Sequence, residues 1–385
     1  MNPFSLHVSD AELDELRLKL KHARFQEDID NDEWKYGTNG AYLKELVDYW
    51  LNEYDWREHE AKINSFDHFR ETIDDIPVHF IYEKGKGPNP TPLIMSHGWP
   101  WTFWDLQKVI RPLTDPASFG GDPADAFDVI VPSLPGFGFS TPLSTPGINF
   151  MHTAEIWDKL MRDVLGYERY GAQGGDWGSY VTTQMGHANA DPLLGIHIHI
   201  TLPLTMISEG PIDPDWFEPD FVHWREHNDR FIAEETGYLA MHTTRPQTVA
   251  FALNDSPIGL MSWLLEKRRR WSHCDGDVET RFSKDDLITS VMLYWITQSI
   301  GTSMRYYYEA VANPWKPFHD RSPVVEAPTG ILLFHNEMVL HPKRWAEQYY
   351  NLKSWTEAER GGHFGAMEEP DAIVSDLRNF FRSLR

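Results

Sequence analysis

A nine-residue stretch, Gly171-Ala-Gln-Gly-Gly-Asp-Trp-Gly-Ser179, limits the fold more than any other part of this sequence. A short run, Tyr167 to Tyr170, precedes it, and a helix-compatible segment, Ser179 to Ala190, follows. Gly174 and Gly178 stand two positions either side of Asp176, with Gly175 directly before it. A sharp strand-to-helix elbow needs that spacing. The central residue is held in a strained conformation, and only small neighbours let strand and helix approach closely. The familiar elbow carries Ser at its centre; here the residue is a carboxylate. An exposed Asp in an ordinary turn gives the same short pattern, so the decision rests on the remainder of the chain.

From Pro92 onward short apolar runs alternate with helical periodicity, which predicts an α/β fold with a mostly parallel sheet. Leu93 to Ser96 leads into His97-Gly-Trp-Pro100, and Phe127 to Val131 into Pro132-Ser-Leu-Pro-Gly-Phe-Gly138. Ile156, Leu160 and Val164 mark a helix before the elbow, and Gly195 to Ile200 reads as the next strand. The rhythm then breaks. Residues 206–322 are rich in Trp, Pro and helical periodicity, and strands resume only at Gly330–Phe334 and, more weakly, Ser354–Ala358. A closing helix covers Asp371 to Leu384. An insertion at that point sits over the carboxyl ends of the strands, where ligands bind, so 206–322 reads as a mostly helical lid. The core is then 77–205 with 323–385.

Ahead of it lies an arm, residues 1–76. Ser9-Asp-Ala-Glu12 reads as a capping box, a second helix covers Gly40 to Tyr54, and 27–39 is acidic and irregular. Strands are expected at Phe66–Phe69 and Val78–Tyr82. The arm has too little apolar content to stand alone and is expected to wrap the core.

Net charge of −23 argues against nucleic acid or an anionic membrane surface as partner. Hydrophobic content of 41% marks a globular chain with a sizeable core. The single cysteine, Cys274, excludes an intrachain disulfide and fits a reducing compartment. The first residues show no signal-peptide pattern and no run is long enough for a membrane span. The expectation is a cytoplasmic protein without a membrane anchor. Composition leaves a homodimer open.

The chemistry gathers at three places. Asp176 occupies the elbow, Glu337 follows the strand ending at Phe334, and His363 lies in Gly361-Gly-His-Phe364 before the last helix. Nucleophile, acid and His in that order match the chain order of α/β-hydrolase triads. A carboxylate nucleophile suits attack on a saturated carbon bearing a leaving group, giving an alkyl ester on the protein. Water must then cleave the ester, so His363 is expected as general base with Glu337 orienting it. The backbone N–H groups of Trp177 and Trp99 are placed to serve as oxyanion donors.

His97-Gly-Trp-Pro100, Gly174-Gly-Asp-Trp-Gly178 and Gly361-Gly-His-Phe364 together resemble the signature motifs of the microsomal-type epoxide hydrolases, a family of α/β-hydrolase fold. The resemblance runs the length of the chain: the arm looks like the family's N-terminal region, and Asn254–Gly259 with Trp263–Lys267 like its lid. It implies Asp176 as nucleophile, His363 as base and Glu337 as acid, with Trp99 and Trp177 forming the oxyanion hole. His97 and Pro100 are expected beside the substrate. It also implies two lid tyrosines that donate to the epoxide oxygen. Tyr238 matches the first. For the second, the Ser-x-Arg-x-Tyr register selects Tyr307 of Ser303-Met-Arg-Tyr-Tyr-Tyr308, with Tyr306 and Tyr308 still open. The implied reaction is hydrolysis of a small apolar epoxide by water, without metal or organic cofactor, in the manner of a xenobiotic-detoxifying enzyme. Trp216, Phe217, Trp224, Trp263 and Trp271 suggest the apolar pocket.

Two rivals remain at this level. A haloalkane dehalogenase shares the Asp-Trp elbow and would use Trp N–H groups to hold halide. A non-catalytic ligand-binding protein could keep the pocket alone. Other motifs are weaker. His223-Trp-Arg-Glu-His227 has a zinc-peptidase spacing but no third ligand. His197 and His199 read as a polar strand face, and Lys267-Arg-Arg-Arg270 as a solvated helix face. The 132–138 loop lacks the residues of a phosphate cradle and reads as a turn beside the site.

Overall fold

Runs rich in β-branched and aromatic residues, punctuated by Gly and Pro, become nine strands in the computed structural model, which describes residues 1–385. They are β1 (Pro3–Phe4), β2 (His68–Ile73), β3 (Ile76–Glu83), β4 (Thr91–Ser96), β5 (Phe127–Pro132), β6 (Tyr170–Gly174), β7 (Leu193–Ile198), β8 (Val325–Asn336) and β9 (Tyr350–Gly362). One sheet holds them all, in the order β1-β2-β3-β5-β4-β6-β7-β8-β9. The edge from β1 to β5 is antiparallel, and every pairing from β5 through β4 to β9 is parallel. Strand order reverses around β4, so the loops after β4 and β6 open side by side at the carboxyl end of the sheet. Open α/β sheets bind ligands in that crevice.

The strand feeding the elbow differs from its sequence reading. It is Tyr170–Gly174, not the run Tyr167 to Tyr170. Gly171 is interior to the strand because the closing helix Pro370–Arg382 packs directly on it. A Cβ there would lie 2.5 Å from the Phe381 ring. The small residues that read as a turn are partly a packing requirement.

Ser9 and Glu12 form the expected capping box at the head of the Asp10–Lys21 helix. The arm does not simply wrap the core, however. It supplies β1 and β2 to the sheet and lays its Gly40–Asn52 helix and the following turn against the lid. There Tyr42 Oη donates to Glu279 (2.8 Å), Tyr49 Oη to Asp285 (3.0 Å), and Tyr54 Oη lies 3.0 Å from Thr289 Oγ1. The segment expected as a lid is helical between β7 and β8, running from Met206 to Ala312. One continuous apolar core joins arm, sheet and lid. No helix is long and apolar enough to cross a membrane.

The basic run 267–270 is not a solvated face. Arg268 and Asp105 are each 3% exposed and pair at 2.5 Å, and the guanidinium also lies 4.1 Å from the Phe364 ring centroid. Periodicity cannot reveal this, because the partner comes from the turn after β4. Arg268→Ala leaves a buried carboxylate without its cation, and we expect a loss of about 3–5 kcal/mol of stability. Chemical denaturation checks it; an unchanged midpoint would show that the pair contributes nothing.

Candidate active site

The elbow forms where β6 meets the helix Trp177–Ala188, and Asp176 holds φ 52° and ψ −123°. Such a backbone costs a non-glycine residue about 1–3 kcal/mol and persists only where packing enforces it. Packing does enforce it. A Cβ on Gly178 would sit 2.1 Å from the Ser96 carbonyl oxygen, and one on Gly98 would sit 2.2 Å from Asp176 Oδ1. The helix and the β4 loop therefore close onto the carboxylate from both sides.

Trp99 N–H donates to Asp176 Oδ1 at 2.6 Å, and the Trp177 N–H adds to the stabilisation of the charged carboxylate. Oδ2 faces His363 Nε2 at 3.8 Å. Nδ1 of His363 donates to Glu337 Oε1 at 2.7 Å, which leaves the Nε2 lone pair free to take a proton. Glu337 Oε1 is itself held by the Met338 N–H at 2.7 Å. His363 is anchored through its own backbone N–H to the Trp271 carbonyl at 2.9 Å.

Burial raises the Asp176 carboxyl to about 6, against the pull of His363 and of the Trp99 and Trp177 N–H groups. Burial alone would lower the imidazolium of His363; Glu337, with Asp176, more than offsets it and holds the group above its usual value. The nucleophilic role expected of Asp176 requires the ionised carboxylate, so protonation is expected to remove activity from the acid side. We expect kcat/KM to fall as pH drops through about 6, with the limb belonging to the Asp176–His363 pair. A profile flat from about pH 7 to about pH 4.5 would contradict this assignment.

Opposite the carboxylate lies a cavity of about 250 Å³ lined by Asp176, Trp177, Tyr238 and Tyr307 among mostly apolar neighbours. That is slightly below the roughly 300–1,000 Å³ typical of ligand pockets and suits a small ligand. Tyr238 stacks on Trp99, and Tyr307 meets Trp177 edge-on; the two phenol rings are perpendicular at 5.9 Å. Burial, with Asp176 adding, raises Tyr238 far above its ordinary range, and Tyr307 likewise. Both phenols therefore stay protonated and can donate. The neighbouring tyrosines are engaged elsewhere: Tyr306 Oη bonds Thr153 at 2.8 Å, and Tyr308 is exposed. Of the three, Tyr307 alone lines the cavity.

His97 and Pro100, expected beside the substrate, do not line this cavity. The His97 ring is fully buried, donates through Nδ1 to the Gly98 carbonyl and accepts the Leu134 N–H at Nε2. Burial pushes it down to about 4, so it is a neutral tie between two loops. The Pro100 carbonyl faces Arg268. The 132–138 loop is thus the far anchor of the β4 turn.

The lid tryptophans also fall outside the cavity. Trp224 and Phe217 pack on Leu333 and Leu340, with Trp216 against them. Trp271 backs Tyr238 and His363, and Trp263 lies against His242. The apolar wall comes instead from residues such as Met206, Ile207, Phe231, Met338 and Val339. His197 pairs with Asp376 at 2.8 Å, and His199 stacks on Trp101, each held by a different neighbour.

Glu368 is not legible in the sequence. It accepts the Phe364 N–H (2.9 Å) and the His273 N–H (2.8 Å), joining the His363 loop to the end of the lid helix Pro257–Trp271. Burial lifts it to about 7. An acidic pair before a proline looks like any surface loop, so no local signal marks it.

The chain matches the family model for the epoxide hydrolase N terminus over residues 1–106 and that for the α/β-hydrolase fold over residues 91–223. It is 36% identical to epoxide hydrolase 1 of Oryctolagus cuniculus, over 99% of this chain and 88% of the relative. The juvenile hormone epoxide hydrolase of Bombyx mori superposes with a TM-score of 0.86 at 31% identity, covering 100% of this chain and 95% of that one. The Aspergillus niger epoxide hydrolase superposes with a TM-score of 0.86 at 27% identity, covering 100% of this chain and 96% of that one. With the elbow carboxylate, the facing imidazole and these relatives in hand, the chain belongs to the epoxide hydrolase family of α/β-hydrolase fold.

Proposed function

We propose that the protein hydrolyses small, largely apolar epoxides to vicinal diols through an ester on Asp176. Oδ2 attacks a ring carbon, the carbon–oxygen bond breaks, and Tyr238 or Tyr307 gives its proton to the departing oxygen. His363 then takes a proton from water, whose oxygen adds to the Asp176 carboxyl carbon. The negative charge develops on Oδ1, facing the Trp99 and Trp177 N–H groups. Collapse expels the second diol oxygen, which takes its proton from His363, and the proton left on the Asp176 carboxyl restores the tyrosine.

One observation carries this reading. Asp176 has one oxygen held by the Trp99 N–H and the other turned toward the base, in a cavity that presents two phenols. Donors in place before the reaction need no reorganisation as charge appears, and this preorganisation usually supplies most of the rate enhancement in such catalysis. O–H donors opposite the nucleophile suit an oxygen leaving group, which favours this reading over halide release. Single turnover in isotopically labelled water tests it. The first diol should carry unlabelled oxygen and the label should appear in Asp176; label in every first-turnover diol would exclude the ester.

A further inference from the structure

The zinc-like spacing His223-x-x-x-His227 has another explanation. The two histidines do not converge on a site: His223 is exposed, while His227 turns inward from the lid helix Val222–Glu235. His227 Nε2 lies 2.8 Å from the Glu337 carbonyl oxygen. A carbonyl only accepts, so Nε2 carries the hydrogen and donates. The next residue, Asn228, closes the other end of the same loop. Its Nδ2 donates to the Leu340 carbonyl and its Oδ1 accepts the Leu340 N–H, both at 2.9 Å.

Trp224, His227, Asn228 and Phe231 form one stripe at helical spacing. Trp224 packs on Leu340, the middle two clamp residues 337–340, and Phe231 reaches the cavity. The clamped loop contains the acid, Glu337, and two residues of the cavity wall, Met338 and Val339. It also contains the Met338 N–H that holds Glu337 Oε1 toward His363.

We propose that His227 is a positioning residue for the triad acid, so that the lid helix sets the orientation of Glu337 and through it the basicity of His363. The proposal rests on the two-step reading above. It places the effect in ester hydrolysis, the step that uses His363 and Glu337, and leaves ester formation on Asp176 nearly untouched.

Rapid-quench mass measurement on styrene oxide, a small apolar epoxide, separates the two steps. In His227→Phe protein, ester hydrolysis should slow roughly tenfold, the size of one lost, partly buried hydrogen bond. Ester formation should stay within about twofold, so that alkyl-enzyme accumulates at steady state. Asn228→Ala should shift the balance the same way, His227→Gln should restore part of it, and His223→Ala on the same helix should change neither rate. Equal slowing of both steps, or normal hydrolysis in His227→Phe and Asn228→Ala alike, would overturn the role. If neither wild-type nor His363→Gln protein ever holds an ester, the two-step reading itself fails and His227 loses its role with it. Wild-type ester with normal turnover in the His227 and Asn228 variants removes only the positioning role.

Discussion

His363→Gln protein is expected to react once and stop. Asp176 can still attack, because Oδ1 remains bonded to the Trp99 N–H and the cavity still presents Tyr238 and Tyr307. The ester it forms has no base beside it. Nε2 of His363 faces Asp176 at 3.8 Å and is the basic nitrogen nearest the carboxyl that water must reach. Glutamine keeps polarity and approximate size but cannot take a proton at neutral pH. Turnover should fall by about 10²–10⁴, the usual weight of a general base. The intact protein should gain the mass of one substrate, and the modified peptide should contain Asp176. Normal turnover would remove His363 from the mechanism. Glu337→Gln should act in the same step, since Oε1 receives the Nδ1 hydrogen at 2.7 Å and stabilises the imidazolium as it forms.

Removing both phenols should affect the other step. Tyr238→Phe and Tyr307→Phe each take away one donor to the epoxide oxygen, and loss of a single such donor costs about 10²–10³ in rate. The double variant should lose ester formation almost completely, although the two losses will not simply multiply, because the rings lie within 5.9 Å and share the oxygen. Phe fills the same space, so packing on Trp99 and Trp177 should survive. The neighbours provide controls. Tyr306→Phe loses only the bond to Thr153, and Tyr308→Phe alters an exposed ring, so each should keep ester formation within a few fold. A rate that depends on Tyr306 instead of Tyr307 would move the second donor one residue. Pre-steady-state measurement of ester formation distinguishes these outcomes where kcat alone would not, since a slow second step can hide a loss in the first.

Much of this protein can be read from local patterns because its chemistry is bound to local backbone geometry. The elbow needs glycine at fixed offsets whatever surrounds it, so Asp176 is marked by Gly174 and Gly178. Parallel strands are apolar runs ended by turns, and an interruption in that alternation marks the lid between β7 and β8. Glu337 and His363 follow strands in a recognisable order. For the three consecutive tyrosines only the resemblance to the family's Ser-x-Arg-x-Tyr pattern favours Tyr307; in the fold successive residues on a helix face different ways, and Tyr307 is the one of the three that lines the cavity.

Partnerships between distant segments are decided by tertiary structure alone. Arg268 reads as one of four surface cations until Asp105, far away in sequence, meets it in the interior. His97 reads as a substrate contact and is a loop tie, because Leu134 arrives from after β5. His227 reads as half of a metal motif and instead donates to Glu337. The lid tryptophans read as the pocket and are the packing around it, while Met338 and Val339 from the acid loop form part of the wall. Sequence periodicity determines which face of an element is apolar, but not which neighbour covers it. Backbone rules determined where Asp176, Glu337 and His363 stand along the chain; only the closed fold decided what holds each of them in place.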